Sequence, residues 1–492
     1  MATLQVVIVG ADVTTLTLAL LLEQAGVDYL LLESTDSVPA VAGGMTLHPT
    51  VLPLLEQLSL RDDLFFFSQP MEQVLILDSD MEYVSSYDWS DRQTRFGAWS
   101  RFISRPEYCA MILEKLPESK VLFNKIVTSV STIENDDDSD DVDDDDCTPT
   151  DEDSDIQDEK RAAARGVTVE CADGTVYSGH ILIGDIDSDV ERKLLYNSSI
   201  HSIQRESPER SGAAGSRDMP AREAHYHVSG ITEALDPQRI PLLKEDKTEL
   251  RLVLDSRNSL SWWAATLADN RIAWQISKRV PLCEKSSRSI DVESFRNEQA
   301  ASATILGQIS PNMMCPLGGT MAQLLDWTPQ SQISCRRWDD RRNSVHAHSS
   351  RVLLLGEACR KMVPVLGQPA EETILDALAL SEVLFALPST RLIDIRQAFD
   401  RYLKERTSRR ESAITESREL DLTLNAKGPI RKLYRTAMLN YMPKYINERK
   451  GDEKYAYRPQ ANFLDLVPDY GHIQPTSSSY TRRYSSEGGE KY

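Results

Sequence analysis

The first 33 residues contain the pattern that most restricts the fold of this chain. Gln5–Val9 and Tyr29–Leu32 are short apolar runs of strand length, and the leucine-rich stretch Thr14–Gln24 between them is typical of a helix. Such apolar strands suit a sheet that is covered on both faces, and Gly26 is a residue type that ends helices. Parallel strands need a crossover of this kind, which is nearly always right-handed. The chain is therefore predicted to begin with a β-α-β unit of an α/β fold.

The turn between the first strand and the helix carries a phosphate-binding pattern in degenerate form. A glycine-rich turn with an acid about 20 residues further on is the dinucleotide-binding fingerprint. Here the turn reads Gly10-Ala11-Asp12-Val13-Thr14-Thr15, and the acid is Glu33. Asp12 places a side chain and a negative charge where backbone should approach a pyrophosphate, and Thr15 obstructs close packing of helix on strand. Glu33 is either a ribose ligand or a surface acid at a strand end.

Further segments, together with the first, resemble one known family. In chain order they are IVGADVTTLTLALLLEQAGVDYLLLE, GGMTLHPTVLPLLEQL, SRPEYCAMILEKLP, DGTVYSGHILIGD and RVLLLGEACRKMVPVLGQPAEETILDALAL, followed near the C-terminus by FLDLVPDYGHIQP. Their order and spacing over residues 4–385 resemble the flavoprotein aromatic hydroxylases, which are group A FAD-dependent monooxygenases, and especially the fungal branch.

The resemblance implies FAD as cofactor and a set of residues that hold it. These residues are Gly10, Glu33, Gly43, Gly44, Arg105, Gly356, Glu357, Pro364, Gly367, Gln368 and Ala370. Arg192 and Tyr226 occupy positions that resemble the catalytic arginine and tyrosine of the fungal members. The alternatives are that Arg192 is an arginine at a helix end and that Tyr226 is a tyrosine of a strand, without a catalytic role. Arg105 is otherwise a surface residue of a first helical turn. Three tryptophans, Trp262, Trp263 and Trp274, line a substrate pocket or belong to the core.

Several departures from the family pattern fall on cofactor contacts. Glu357 replaces an aspartate, and Pro369 removes a backbone N–H from the flavin loop. Glu371 replaces a residue that is usually uncharged, and the segment 184–188 does not keep the Asp-Gly motif of the family. Two interpretations follow. In the first, the chain has kept the fold but has lost the ability to bind FAD. In the second, the helix dipole, Glu33 and Arg105 still bind FAD, but more weakly than an intact motif would.

The predicted fold class is α/β, with a Rossmann-like, GR-type FAD-binding domain interleaved with a mainly antiparallel β substrate domain and followed by a helical C-terminal region. The predicted divisions are FAD-binding segments at 1–130, 166–200 and 346–390, an acidic insertion at 131–165, the substrate domain at 201–345, the helical region at 391–474 and a flexible tail at 475–492.

The net charge of −21 for 492 residues is concentrated in one stretch. Sixteen Asp and Glu residues, and no Lys or Arg, lie between positions 134 and 159, which leaves −5 for the rest of the chain. Such a composition cannot bury enough apolar surface to order itself, so the stretch is predicted to be a disordered insertion in a hairpin loop. The alternatives are a metal site or an adaptor for a basic partner. The absence of a basic stripe excludes nucleic acid as an expected partner.

The remaining patterns bear on location. Seven cysteines without CxxC or zinc spacing fit a reducing compartment, no histidine spacing suggests a metal, and no stretch approaches the ~18 apolar residues of a spanning helix. The chain starts in an apolar strand without a signal-peptide pattern, so a cytoplasmic location is predicted. Residues 428–450 carry six bases and one acid among apolar residues, which suggests either a helix packed on the protein or peripheral contact with a membrane.

Two functions from different classes are consistent with these observations. By resemblance, the chain is an enzyme that uses FAD, NAD(P)H and O₂ to hydroxylate or epoxidise an apolar or aromatic small molecule. The alternative is a non-catalytic descendant that keeps the fold as a binding or scaffold protein, as Asp12, Thr15 and Pro369 suggest. Stoichiometric FAD in the isolated protein discriminates between them.

Overall fold

Two main sheets and the helices that cover them form the part of the chain that the structure describes. The computed structural model describes residues 4–39, 42–133, 166–184, 223–255, 257–281, 298–339, 348–355, 368–424 and 451–477.

The first sheet is built around the predicted β-α-β unit. In spatial order its strands are β17 (His348–Ser349), β18 (Val352–Leu354), β11 (Ile181–Gly184), β1 (Gln5–Val9), β2 (Asp28–Leu32) and β7 (Val121–Leu122). All neighbours run parallel except β17, which pairs antiparallel with β18 at the edge. The apolar residues of β1, from Val6 to Val9, are buried, as a sheet covered on both faces requires.

Helix α1 (Val13–Ala25) is the central helix of the first sheet. Every residue from Val13 to Leu22 is buried, which explains why this helix is apolar around its circumference. It packs against α5 (Arg105–Leu113) and α8 (Gln368–Phe385). Gly26 ends α1 in the left-handed conformation, with a φ of 67° that favours glycine. The predicted β-α-β unit is confirmed.

The second sheet is larger and mixed. In spatial order its strands are β16 (Ile333–Asp339), β12 (Glu223–Ile231), β15 (Ile272–Pro281), β14 (Leu260–Thr266), β13 (Thr248–Asp255), β4 (Ser68–Asp78), β6 (Arg101–Ser104) and β3 (Gly44–Leu47), with β5 (Tyr83–Asp88) paired to β4. Neighbouring strands are antiparallel, apart from the parallel pair of β4 and β13. The turn between β14 and β15 uses Asp269 and Asn270, which both have a φ of 57°.

A small antiparallel sheet lies at the point where the acidic stretch enters the chain. Its strands are β8 (Val127–Ile133), β9 (Gly166–Cys171) and β10 (Val176–Gly179). Ile133 and Gly166, the residues on either side of the acidic stretch, pair with each other. The predicted hairpin is therefore confirmed. The acidic residues themselves lie outside the described part of the chain.

The remaining helices surround these sheets. They are α2 (Leu52–Gln57), α3 (Arg61–Phe67), α4 (Arg92–Phe96), α6 (Glu298–Gly307), α7 (Met321–Asp326) and α9 (Leu392–Leu424). Helix α9 is held on α8 by buried ion pairs: the Arg406 guanidinium lies 2.6 Å from Glu372 and 2.7 Å from Asp376. Removal of one partner would leave an uncompensated buried charge, so this contact fixes how the two helices pack.

Residues 451–477 return to the body of the protein. Arg458 is 1% exposed and donates to the Asp469 carboxylate at 2.6 Å. Gly97 and Gly471 approach so closely that a Cβ on Gly471 would lie 2.6 Å from the backbone of Phe96. The C-terminal sequence that resembles the fungal members therefore docks on the segment that contains α4.

The structure differs from the sequence prediction in two respects. The sequence of residues 49–63, PTVLPLLEQLSLRDD, predicts one helix, whereas α2 and α3 are separate helices because Ser59 between them has a φ of 57°. Strands β3 to β6, from within the predicted segment 1–130, join the second sheet alongside strands from the predicted segment 201–345. The predicted α/β fold class, with its parallel sheet, a second largely antiparallel sheet and a helical C-terminal region, is confirmed.

The close contact at Gly44 provides a test of this packing. A Cβ at this position would lie 2.1 Å from Cζ of Phe102, a ring that is 1% exposed on the paired strand β6. We expect Gly44→Ala to lower the free energy of unfolding by about 1–3 kcal/mol, measured by denaturant titration, since the ring must move into a filled core. Gly307→Ala is the control, because no atom lies within 4 Å of its Cβ position. An unchanged stability of Gly44→Ala would contradict the packing described.

Candidate active site

Glu33 closes the turn between β1 and α1. Its Oε2 accepts a hydrogen bond from the Ala11 N–H at 2.6 Å, and its Oε1 accepts from the N–H and hydroxyl of Thr35 and the hydroxyl of Ser34. These donors compensate for burial, since Glu33 is 3% exposed. Oε2 has one donor and Oε1 has three, so Oε2 has room to accept a further hydroxyl.

Asp12 and Thr15, which replace the second and third glycines of the fingerprint, act together. Asp12 is the N-cap of α1, and its Oδ1 accepts from the Val13 N–H at 2.6 Å. The Asp12 N–H in turn donates to Thr15 Oγ1 at 2.9 Å, and the Thr15 N–H donates to the Asp12 side chain. This reciprocal arrangement is a capping box. The two substitutions therefore form one local structure that stabilises the start of α1.

The Asp12 carboxylate also binds Arg105, the first residue of α5. Arg105 Nη2 lies 2.7 Å from Oδ1 and 2.5 Å from Oδ2, and Nε lies 3.2 Å from Oδ1. Burial raises the pKa of Asp12, but the charge and hydrogen bonds of Arg105, with the charge of Arg336, hold this pKa below its ordinary value of 3.8. Asp12 is therefore ionised at neutral pH.

Gly43 connects this ion pair to the second sheet. The Arg105 N–H donates to the Gly43 carbonyl oxygen at 2.9 Å. Gly43 has a φ of 143°, and a Cβ there would lie 3.6 Å from Cβ of Ser229 on β12. The neighbouring Ala42 carbonyl oxygen accepts from the hydroxyl of Ser334 on β16 at 3.2 Å. Gly43 therefore links the Asp12–Arg105 ion pair to β12, and Gly44 begins strand β3 of the second sheet.

The face of β12 that carries Ser229, next to Gly43, is polar. Because side chains alternate along a strand, His225, His227 and Ser229 share one face of β12, whereas Tyr226 and Val228 point into an apolar core on the other. We call the following residues the polar face: His225, His227, Ser229, Gln275, Ser277 and Arg336. The strand register places the last three opposite residues of β12 on the same face. Asp12 and the polar face are thus parts of one site.

His227 is the centre of the hydrogen bonds on the polar face. Its Nδ1 lies 2.8 Å from Ser277 Oγ and 3.0 Å from Gln275 Nε2. Burial and the neighbouring His225 lower the pKa of His227 to about 3. The imidazole is therefore neutral at physiological pH and serves as a hydrogen-bonding group rather than as a cation.

A second polar group lies at the beginning of α8. Glu371 is 1% exposed, and its Oε1 has no hydrogen-bond partner among the described residues. Burial is the main cause that raises its pKa, Glu372 raises it further, and Lys454 and the Thr50 hydroxyl oppose the change. The pKa is therefore above its ordinary value of 4.5, which favours the neutral acid over the buried carboxylate.

His48, at the end of the glycine-loop strand β3, lies in a buried cluster. Its Nδ1 is 3.0 Å from Ser100 Oγ and 2.6 Å from Nη1 of Arg92. The Arg92 guanidinium lies over the rings of Trp89 and Tyr455, with its Cζ 4.0 Å and 4.1 Å from the ring centroids. Burial and the charges of Arg92 and Lys454 lower the pKa of His48 well below its usual range. This cluster anchors residues 451–477 beside the site.

The structure brings several predicted residues together. Gly10, with a φ of 94°, and Glu33 shape the β1–α1 turn, and Arg105, Gly43 and Gly44 lie beside it. Ala370 lies near the start of α8 and packs against the apolar core that contains α1, and Gln368 is the first residue of that helix. Arg192, Gly356, Glu357, Pro364 and Gly367 lie outside the described residues. The assigned roles of all these residues stay predictions.

The second sheet places the aromatic candidates in its cores. Tyr226 is 2% exposed and belongs to an apolar cluster with Trp262 and Trp274, on the face opposite His227. Trp263 packs in another cluster with Phe102, with ring centroids 6.1 Å apart. The catalytic role of Tyr226 stays a prediction. The polar face was missed from the sequence, although the alternation of His225, His227 and Ser229 along one strand indicates a polar face.

Two features are absent from the described residues. No helix among them has the length and apolar character needed to cross a membrane. No group of three or more His, Cys, Asp or Glu side chains in the described ranges could hold a metal ion. The basic segment 428–450 and the acidic stretch lie outside these ranges.

The described residues fit a dinucleotide such as FAD, with one exception. Glu33 Oε2 can accept from a ribose hydroxyl, Arg105 is a cation at the N-terminus of α1, and the Thr14 hydroxyl on the first turn of α1 is buried with no partner among the described residues. The exception is Asp12, whose carboxylate occupies donors that a pyrophosphate would use.

Comparison with known sequences gives a consistent set of relatives. No protein-family model matches the chain. The FAD-dependent monooxygenase janM of Penicillium janthinellum is 24% identical over 426 residues, which cover 85% of this chain and 76% of that protein. The FAD-dependent monooxygenase prhF of Penicillium brasilianum is 23% identical over 498 residues, 99% of this chain and 92% of that protein.

Solved structures of low sequence identity share the fold of this chain. The Klebsiella pneumoniae protein HpxO in complex with FAD and uric acid has a TM-score of 0.62 at 18% identity and covers 93% of this chain and 98% of its own. The 2,6-dihydroxypyridine-3-hydroxylase of Arthrobacter nicotinovorans has a TM-score of 0.58 at 17% identity and covers 87% of this chain and 94% of its own.

The predicted resemblance is confirmed: the chain is similar in sequence to fungal proteins named FAD-dependent monooxygenases, and it shares the fold of solved structures such as HpxO in complex with FAD. The prediction of an FAD-dependent oxidoreductase is also confirmed at this level. The comparisons do not support the alternative of a non-catalytic scaffold protein.

The buried Glu371 carboxyl predicts a pH dependence of stability. Because its pKa in the folded protein is raised, folding favours the protonated form, and this contribution is lost as pH rises through the folded-state pKa. We expect the melting temperature of the wild type to fall relative to that of Glu371→Gln as the pH rises above 4.5, the ordinary value of this pKa. Glu114→Gln, at an exposed position, is the control. Parallel melting curves of wild type and Glu371→Gln across this range would contradict the assignment.

Proposed function

We propose that this protein is a monooxygenase that uses FAD, NAD(P)H and O₂ to hydroxylate or epoxidise a small molecule with an apolar or aromatic body. The observation that carries the proposal is the juxtaposition of Glu33 and Arg105, at the β1–α1 turn, with the polar face of the second sheet. This arrangement offers a dinucleotide site and a second surface directly beside it, as the oxygenation of a bound substrate requires. The names of the fungal relatives, FAD-dependent monooxygenases, support the cofactor and the reaction type of the proposal.

In this proposal the described residues hold the nucleotide part of the cofactor. Glu33 Oε2 accepts from a ribose hydroxyl, while its bond to the Ala11 N–H keeps the turn in place. Arg105 and the N-terminus of α1 provide positive charge for the pyrophosphate. The second motif, with Gly356, Glu357, Pro364, Gly367, Gln368 and Ala370, is proposed to hold the ribitol and flavin. FAD, when bound and reduced by NAD(P)H, supplies the electrons for activation of O₂.

The overall reaction proposed is balanced with NAD(P)H as the reductant. One atom of O₂ enters a C–H bond of the substrate or adds across a double bond. The other atom leaves as water after it takes up two protons and two electrons, of which NAD(P)H supplies a hydride and the solvent a proton.

The polar face is proposed to orient the substrate. Its neutral His227, together with Gln275 and Ser277, can donate or accept hydrogen bonds without placing a titrating charge beside the reacting atoms. An apolar cluster packs on the opposite face of β12, and Trp263 of another apolar cluster pairs with Gln275 in the strand register, so these side chains limit the access of water to the polar face. We therefore expect substrates that combine an apolar or aromatic body with a hydroxyl or carbonyl group. Uric acid and 2-aminobenzoylacetate, bound in two structures of the same fold, both carry carbonyl groups.

The visible absorbance spectrum of the pure protein tests the proposal. We expect a flavin band in the isolated protein or after addition of FAD and gel filtration, because Glu33 and Arg105 provide a nucleotide site. We also expect NADH or NADPH oxidation that is stimulated by at least one member of a set of small aromatic and alicyclic alcohols and ketones. Heat-denatured protein is the control for uncatalysed oxidation. A protein that retains no flavin and shows no stimulated oxidation would contradict the proposal.

A further inference from the structure

The position at which the dinucleotide fingerprint has its second glycine contains an ionised carboxylate that is paired with Arg105. We propose that Asp12 competes with the pyrophosphate of FAD for Arg105 and for the N-terminus of α1, and thereby sets the affinity for the cofactor. The inference rests on the proposed function, because it assumes that FAD is the ligand of this site. It assigns to Asp12 a role that determines affinity, in addition to its capping of α1.

The first argument is geometric. Arg105 presents Nε and Nη2 to Asp12, and Nη2 lies within 2.7 Å of both carboxylate oxygens. A carboxylate and a phosphate offer a guanidinium the same kind of acceptor oxygens, and both are bound by pairs of N–H groups. Asp12 thus presents to Arg105 the acceptor group that a pyrophosphate would otherwise present.

The second argument concerns the backbone of α1. With glycine at this position, the first N–H groups of the helix would point into the site as free donors. Here the Val13 N–H donates to Asp12 Oδ1 at 2.6 Å, and the Thr15 N–H donates to the same side chain. The capping box therefore satisfies donors that an anion would bind. An incoming pyrophosphate must displace the carboxylate from these donors as well as from Arg105.

The third argument explains why competition, rather than complete exclusion, is expected. Arg336 of the polar face also acts on Asp12 and lowers its pKa. Two arginines and the positive end of α1 therefore surround one carboxylate, so the local charge still attracts an anion. The Asp12 side chain is 22% exposed, so water can hydrate the carboxylate when an anion displaces it from Arg105. Its displacement lowers the affinity for FAD without closing the site.

Equilibrium dialysis of the full-length protein against FAD and against riboflavin tests the inference. Riboflavin is the informative probe because it has the isoalloxazine but no phosphate. In Asp12→Asn the side chain keeps the size and capping ability of Asp12 but loses the charge, and in Asp12→Gly it is removed at little cost to the cap. We expect both variants to bind FAD about 10- to 100-fold more tightly than the wild type, with unchanged riboflavin binding.

A matched control removes a similar ion pair elsewhere. Glu23 lies 2.8 Å from Lys120 near the C-terminal end of α1, the opposite end of this helix from Asp12. Glu23→Gln changes the net charge by the same amount as Asp12→Asn, so it reports any general effect of charge on the binding of an anionic ligand. We expect its affinity for FAD to equal that of the wild type. Melting temperatures of all variants establish that each is folded.

A double-mutant cycle tests whether Asp12 acts on FAD binding through Arg105. Arg105→Gln is expected to weaken FAD binding, because a cation of the site is lost. In the Arg105→Gln background, Asp12→Asn should then produce a smaller gain than in the wild type, since part of the competition was for Arg105. A gain that is as large in this background as in the wild type would show that Asp12 does not act through Arg105, and would overturn the inference.

The remaining outcomes separate the inference from the proposed function. If the wild type and both Asp12 variants bind FAD equally, the inference is wrong, while the proposed function stands. If riboflavin binding rises as much as FAD binding, Asp12 acts on the fold of the site, and the inference is again wrong. If neither the wild type nor any variant binds FAD, both are wrong. Tight binding by the Asp12 variants with weak binding by the wild type supports both.

Discussion

The hydrogen bond between the Ala11 N–H and the Glu33 carboxylate closes the turn on which the rest of the site depends. It joins the end of β2 to the start of α1, across a length of 2.6 Å in a buried environment. Because α1 is enclosed by the parallel sheet, α5 and α8, its position determines where its N-terminus points. That N-terminus in turn positions Asp12, which holds Arg105, whose backbone binds Gly43 beside the second sheet.

This chain of contacts places two opposite requirements on one short turn. The fold needs the start of α1 to be capped, and the Asp12–Thr15 capping box meets this need within the protein. The phosphate oxygens of a bound dinucleotide would accept hydrogen bonds from the same N–H groups. Glycine suits such a turn because it has no side chain to occupy these donors. A turn that is stable without a ligand therefore has fewer free donors for the ligand. Stability of the unliganded protein and affinity for the cofactor are opposed at this point.

Much of the fold followed from local sequence patterns. The apolar strands, α1 and the hairpin around the acidic stretch were predictable because alternation and periodicity reflect burial directly. The break between α2 and α3 was not, because the positive φ of Ser59 is not encoded by a glycine or proline. The joining of β4 to β13 was also hidden, since pairing between strands more than 170 residues apart leaves no local pattern. Of the candidate site, Gly10, Glu33, Gly43 and Arg105 were predictable from motifs.

The sequence by itself determined the class of fold, the dinucleotide-type turn and the anomaly of an aspartate in place of a glycine. These features are local, because strand length, helix periodicity and turn chemistry depend on neighbouring residues. The tertiary structure decided what the anomaly means. Asp12 binds Arg105, 93 residues away, and the charge of Arg336 acts on the same carboxylate from the second sheet. Charges so distant in sequence interact because the fold brings them together and burial reduces solvent screening between them.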